Sequence, residues 1–439
     1  MRVSVFGLGY VGAVSSACLA KVGHQVIGVD PQAAKVRHVN AGESPIIEEG
    51  IAELVGEVVR AGRLRATGDA DEAIRESELS LICVGTPSAP SGKLDLSYLA
   101  SVSREVGAAI AKKGSAHTIV VRSTVLPGTT EELVIPIIEA ATGRPPGDGY
   151  DVLYNPEFLR EGTAIADFFA PAFTIAGTPG GGPVDKLRDL YREVEAPLHV
   201  VPVKVAEMVK YSSNAFHALK IAFANEIGRI AKRLGFDSVP VMDYLCQDTK
   251  LNISRAYLRP GFAFGGSCLP KDLRALTYRA KELDVALPML EAILRSNEEH
   301  IQAAVDLIRE TGLKRVGLLG LSFKPGTDDL RESPLVALAE TLIGKGYDLA
   351  VYDPLVNLDR LIGANKTYLL REIPHISRLM APSIEALLAG SEVVVVGNAS
   401  REFRALESSR FREDQVVVDL AGLLRGKLAP EVKYRGICW

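Results

Sequence analysis

No two cysteines in this 439-residue chain stand at C-x-x-C spacing, and none clusters with histidine in a metal-binding pattern. The five present, Cys18, Cys83, Cys246, Cys268 and Cys438, are an odd and scattered set. A disulfide framework and a zinc site are thereby excluded as organising devices, no metal is expected, and a reducing cytosol is the natural home. Long, continuous apolar runs that would span a bilayer are also lacking. So is an excess of one charge: the net charge of −4 gives no general affinity for nucleic acid or for an acidic membrane. What remains is a globular chain, 47% hydrophobic, long enough for two or three domains that each bury a core.

Strands alternate with helices at both ends of the chain. Residues 2–6 (RVSVF) predict a buried strand, a helix follows to about residue 22, and 25–29 (QVIGV) predict a second strand ending at Asp30. The opening has an early arginine and an apolar stretch, as a secretion signal would. It also contains Gly7-x-Gly9-x-x-Gly12 and runs directly into the second strand, so we read it as part of the fold. Apolar runs at 79–87, 118–129 and 151–158 extend a parallel, doubly wound sheet. Residues 202–300 carry few strand signals, and 203–235 predict one largely buried helix of about 30 residues, longer than a typical globular helix. Residues 314–439 echo the opening, with RVGLLGLSFK (315–324), YDLAVYDP (347–354), EVVVVGNA (392–399) and QVVVDL (415–420). The expected fold is α/β, with two Rossmann-like doubly wound parallel-sheet domains, 1–201 and 301–439, joined by a central helical domain, 202–300.

Gly7, Gly9 and Gly12 open a helix directly after a strand, and Asp30 closes the next one. In that order they form a dinucleotide fingerprint. Gly7 makes the turn, Gly9 admits a pyrophosphate, Gly12 lets helix and sheet approach, and Asp30 accepts from a ribose 2′-OH. An acid there disfavours a 2′-phosphate, so NAD is expected over NADP.

Cys268 stands in the glycine-dense run GFAFGGSCLPKD (261–272), followed by Lys271 and Asp272. A lysine beside a thiol stabilises the thiolate, so Cys268 is the candidate nucleophile. Cys18 and Cys83, inside apolar patterns, are expected to be small buried hydrophobes, and Cys246 and Cys438 are taken as structural by the same base rate. On the long helix Lys210, Asn214, His217 and Asn225 fall within an arc of about 80°. Such a stripe is either a hydrogen-bonded seam or the lining of a polar ligand site. Glu157 and Glu161, in NPEFLRE (155–161), follow a strand, and Glu157 is placed to activate water; the alternative is solvated loop acids. Thr86 and Thr124 end strands, and Lys324 and Arg331 begin the C-terminal repeat as candidate anion contacts.

FGLGYVG, CVGTP, RSTVLPGT, NPEFLREG, K-x-x-x-N-A-F, FANE, GGSCLPKD and FKPGTDDLRESP, in this order, resemble the UDP-glucose/GDP-mannose dehydrogenase family along the whole chain. His217 after NAF, the stretch 246–268, SFKPGTDDLRESP and the final GICW resemble the members that oxidise GDP-mannose for an exopolysaccharide such as alginate. Ala256 departs from those relatives, which have a tyrosine next to the matching Tyr257.

The resemblance implies a four-electron oxidation at the sugar C6 with two NAD, through a thiohemiacetal and a thioester on Cys268, with Glu157 activating water and Lys210, Asn214 and Asp272 assisting. It further implies NAD contacts at Tyr10, Val11, Asp30, Lys35, Thr86, Thr124, Lys271 and Arg331. The implied sugar-nucleotide contacts are Glu161, Lys210, Asn214, His217, Asn225, Tyr257, Arg259, Phe262, Gly265 and Lys324. A homodimer through the central domain, with Arg259 acting across it, is implied as well. Two alternatives stay open: a UDP-glucose or UDP-amino-sugar dehydrogenase, and a catalytically silent NAD-binding scaffold. The intact set Glu157, Lys210, Asn214, Cys268 and Asp272 argues against silence.

Overall fold

The computed structural model describes the chain apart from residues 88, 90, 92, 255–260, 267–268, 324, 326–329, 357–362 and 439, and apart from the side chains at 221, 232 and 363–367. The chain divides into two compact units, Met1–Ala218 and Leu219–Trp439.

The first unit is built on β1 (Arg2–Phe6), β2 (Gln25–Val29), β3 (Leu64–Thr67), β4 (Leu79–Ile82), β5 (His117–Val121), β6 (Tyr150–Tyr154), β7 (Thr174–Thr178) and β8 (Leu198–Pro202). They form one sheet in the order β3-β2-β1-β4-β5-β6-β7-β8. The first six follow the doubly wound dinucleotide-binding order, which reverses direction between β1 and β4. β7 pairs antiparallel with β6, while β8 runs parallel to β7. Alternate residues of a strand feed opposite faces: Leu153 joins one core cluster, Val152 and Tyr154 the other. Both faces are covered, so β4 and β5 are buried along their whole length and are mostly apolar. β3, β7 and β8 lie beyond the elements predicted from sequence.

In the second unit the helices Leu269–Glu282 and Pro288–Arg309 precede a second sheet. It comprises β9 (Arg315–Leu319), β10 (Asp348–Tyr352), β11 (Val393–Val396), β12 (Val416–Asp419) and β13 (Lys433–Gly436), all parallel, in the order β10-β9-β11-β12-β13. This is the flavodoxin-like variant of the doubly wound sheet, with its switch point between β9 and β11. The α/β class with two doubly wound sheets is as expected.

The long helix runs Val203–Leu234. The expectation that it is largely buried is overturned. Val203, Ala206, Glu207 and Lys210 are buried near its start, and Glu226, Ile230 and Ala231 near its end. Residues 214–220 are exposed. The division between the two compact units falls in this stretch, after Ala218. Buried Glu226 accepts from the Met289 and Leu290 amides at 2.9 and 3.0 Å and so caps the start of the Pro288–Arg309 helix. Among the described residues, no helix is long and apolar enough to cross a membrane.

Candidate active site

The cofactor cleft follows from the glycines. Gly7 has φ +93°, and a Cβ there would stand 3.0 Å from the Cys83 carbonyl oxygen. A Cβ on Gly12 would lie 1.8 Å from the Gly7 oxygen, so only glycine lets the helix start this close to the turn. Gly9 is the N-cap of the Tyr10–Lys21 helix, and a Cβ on it would point into open space. That open position, at a helix N-terminus and at the switch point, fits a pyrophosphate. The cleft holds about 400 Å³ and is lined by Gly7, Gly9, Asp30, Lys35, Val84 and Ser101, among others.

Asp30 is 4% exposed. Its Oδ2 accepts from the Leu8 amide at 2.9 Å and from Lys35 Nζ at 3.1 Å; its Oδ1 accepts from the Gln32 amide at 2.9 Å. One acceptor position on Oδ1 stays available to a ribose hydroxyl. The residues therefore fit NAD. A 2′-phosphate would meet a carboxylate fixed by three donors, so kcat/KM for NAD is expected to exceed that for NADP by at least about tenfold, ~1.4 kcal/mol. Equal kcat/KM for the two cofactors would refute this role for Asp30. At the ends of β4 and β5, Thr86 Oγ1 donates to the Thr124 carbonyl at 2.8 Å, which brings these two candidates together.

The second cluster lies at the end of β6. Glu157 Oε1 pairs with Lys210 Nζ at 3.0 Å, and its Oε2 accepts from the Leu159 amide at 2.7 Å. The two side chains are only 10% and 7% exposed. Each carboxylate oxygen keeps an acceptor position for water. Lys210 Nζ also lies 5.6 Å from the centroid of the Phe158 ring. A buried pair at the carboxyl end of a strand is costly to bury and suits proton transfer or oxyanion stabilisation.

Three groups here went unnoticed in the sequence. Glu207, one turn before Lys210 and fully buried, accepts from the Gly128 and Thr130 amides at 2.6 and 2.9 Å. Burial raises its pKa, against these two amides that lower it. One helical face thus grips the loop after β5 with Glu207 and the loop after β6 with Lys210. The i, i+3 spacing of the two residues was the available signal.

Asn155, fully buried, accepts from Arg122 Nη1 at 2.5 Å and from Tyr191 Oη at 2.7 Å, and donates to the Ile175 carbonyl at 2.7 Å. This network fixes the turn that carries Glu157.

Glu48 accepts from Tyr10 Oη at 2.6 Å and from the Gly162 and Ala164 amides at 2.8 and 2.9 Å. It joins the fingerprint helix to the segment bearing Glu161. The Tyr10 hydroxyl, followed by the Gly162 amide, holds the Glu48 pKa below the usual carboxylate range, while burial and then Glu48 raise the Tyr10 phenol.

Val11 is half-buried against the core, and Glu161 is exposed. Asn214 and His217 are exposed on the long helix, and so is Asn225, which belongs to the second unit. In that unit Phe262 is half-buried against the core, and Gly265 is buried. Lys271 and Asp272 pair with each other at 2.7 Å, two-thirds exposed, in the first turn of the Leu269–Glu282 helix. Arg331 is half-buried. Cys268, Tyr257, Arg259 and Lys324 lie outside the described residues, as does Ala256.

The remaining thiols separate cleanly. Burial pushes Cys18 and Cys83 up to about 12, so neither is a nucleophile at neutral pH. Cys246 and Cys438 are exposed, against the base rate that takes a lone cysteine for a small buried hydrophobe.

Comparison with known proteins agrees with this geometry. The patterns of the UDP-glucose/GDP-mannose dehydrogenase family match in sequence order: its NAD binding domain at residues 1–195, its central domain at 204–299 and its UDP binding domain at 317–426. The GDP-mannose 6-dehydrogenase of Pseudomonas aeruginosa is 52% identical over 439 residues, all of both chains. A UDP-glucose 6-dehydrogenase of Haloferax volcanii is 37% identical over 95% of this chain and 96% of that one. The crystal structure of a ternary complex of the Pseudomonas aeruginosa GDP-mannose dehydrogenase matches with TM-score 0.95 and 51% identity over the full length of both. The chain belongs to the UDP-glucose/GDP-mannose dehydrogenase family, and its first 195 residues are the NAD binding domain of that family.

Proposed function

We propose that this protein oxidises GDP-mannose at C6 to GDP-mannuronate, as a supplier of an exopolysaccharide such as alginate. The observation that carries this reading is the full-length likeness to GDP-mannose 6-dehydrogenase at 52%, against 37% for the UDP-glucose enzyme. Bound NAD supplies the hydride acceptor for each of two successive oxidations. The remaining chemistry falls to the chain. The C6 alcohol gives up a hydride and, to water, its hydroxyl proton to become an aldehyde; Cys268 as thiolate adds to this aldehyde, and the resulting thiohemiacetal gives up its C6 hydride and, to water, its hydroxyl proton to become a thioester. Water held by Glu157 gives up a proton and adds to the carbonyl, the C–S bond breaks, and Cys268 leaves as thiolate with the carboxylate formed. Lys210 and Asn214 steady the oxyanion, and Asp272 helps to hold the water.

The same reading divides the chain into a cofactor domain, 1–201, a central domain, 202–300, and a sugar-nucleotide domain, 301–439. Dimerisation through the central domain is supported by apolar side chains left in solvent there: Phe216, Leu219, Phe236, Val239 and Tyr244 are 39%, 49%, 51%, 60% and 73% exposed. A working thiol suits a reducing cytosol.

The discriminating experiment is initial-rate kinetics on GDP-mannose and UDP-glucose. Mannose and glucose differ in one hydroxyl configuration at C2, and a site that hydrogen-bonds a hydroxyl rejects its misplaced counterpart strongly. His217 is the assigned donor or acceptor. GDP-mannose is expected to have the higher kcat/KM by at least about a hundredfold. A higher value for UDP-glucose would overturn the substrate and leave the family intact.

A further inference from the structure

The residues just ahead of Cys268 are held by an unusual set of tethers, all in the second unit. Asn297, on the Pro288–Arg309 helix, accepts from the Phe264 amide at 2.9 Å through Oδ1 and donates to the Phe264 carbonyl at 2.9 Å through Nδ2. One side-chain amide thus satisfies both backbone groups of one residue, as a neighbouring strand would. One turn further along the same face, His300 Nε2 donates to the Gly261 carbonyl at 2.7 Å. The next two residues have no slack. A Cβ on Gly265 would lie 2.3 Å from the Glu332 carbonyl oxygen, and Gly266 has φ +89° with the Phe323 ring 2.8 Å from its Cβ position. Glu332 is held in turn by Arg274 through two hydrogen bonds, at 2.8 and 3.3 Å. Arg274 belongs to the Leu269–Glu282 helix, which starts directly after Cys268.

We infer that Asn297 is a positioning residue for the nucleophile: it pins Phe264, four residues ahead of Cys268 in the sequence, and so limits the freedom of the backbone that leads to it. This rests on Cys268 being the nucleophile. The physical ground is geometric, since a misplacement of about 1 Å at a reacting group costs on the order of a hundredfold in rate. Asn297 is half-buried and lines an open cleft of about 810 Å³, so truncating it leaves no cavity in a core.

The test compares Asn297→Ala, Asn297→Asp and Cys268→Ala in the full-length protein. Asn297→Ala is expected to lower kcat about 10- to 100-fold, with KM for the sugar nucleotide within about threefold and Tm lowered by no more than a few degrees. Asn297→Asp keeps an acceptor for the Phe264 amide but cannot donate to its carbonyl, so it should recover part of the loss. Iodoacetamide labelling, followed peptide by peptide across pH, should shift for Cys268 in Asn297→Ala and stay as in the wild type for Cys246 and Cys438. The inference falls if Asn297→Ala keeps kcat within about twofold and labels Cys268 normally while Cys268→Ala is dead. It also falls if the kcat loss merely tracks a lowered Tm, with Asn297→Asp no better than Asn297→Ala. If Cys268→Ala still makes acid, the nucleophile assignment itself fails and the inference goes with it.

Discussion

Cys268→Ala is expected to lose acid formation by on the order of 10⁴-fold or more, the scale seen when a covalent nucleophile is removed. NAD binding, measured by titration calorimetry, should be nearly untouched, because the fingerprint glycines and Asp30 all belong to the first unit. No other cysteine is placed to substitute. Cys18 and Cys83 are buried with thiols pushed up to about 12, and Cys246 and Cys438 lack the glycine-dense setting followed by a lysine. Acid formation by the variant at near wild-type rate would return Cys268 to a structural role.

Glu157→Gln and Lys210→Met should each lower kcat by roughly 10²- to 10⁴-fold. Each also leaves its partner buried without a counter-charge, a destabilisation of about 3–5 kcal/mol. Activity loss and instability can be separated with the double variant Glu157→Gln/Lys210→Met. With both charges gone and the volume kept, Tm should recover most of what either single variant loses. Activity should not recover, because neither a base nor a cation remains. A double variant that regained turnover would reduce the pair to a structural ion pair.

Much of this arrangement was legible in the sequence because it is local. Gly7, Gly9, Gly12 and Asp30 announce their roles by spacing, and apolar runs announce strands that are covered on both faces. Lys210 and Glu157 were both named, but their 3.0 Å contact joins residues 53 positions apart and no local rule predicts it. The groups that went unseen are long-range in the same way. Glu48 meets the Gly162 amide from 114 residues away, and Asn155 meets Tyr191 from 36. Asn297 reaches Phe264 across 33, with nothing at either position to mark the pairing.

The mid-helix exposure was misread for a different reason. Ala215, Phe216 and Ala218 look like a buried face, but periodicity reports only that a surface is apolar and does not say which partner covers it. β7 and β8 were missed because their short runs follow β6 in an antiparallel turn-back that the repeating strand–helix pattern does not foresee.

In the proposed function one active site performs both oxidations without releasing the aldehyde. The most direct test is the stoichiometry of NADH formed per GDP-mannose consumed, read by absorbance against chromatographic quantitation of the sugar nucleotide, with a hydrazine trap for free aldehyde. A ratio of two and no trapped aldehyde are expected. A ratio of one with aldehyde accumulating would contradict the proposed function.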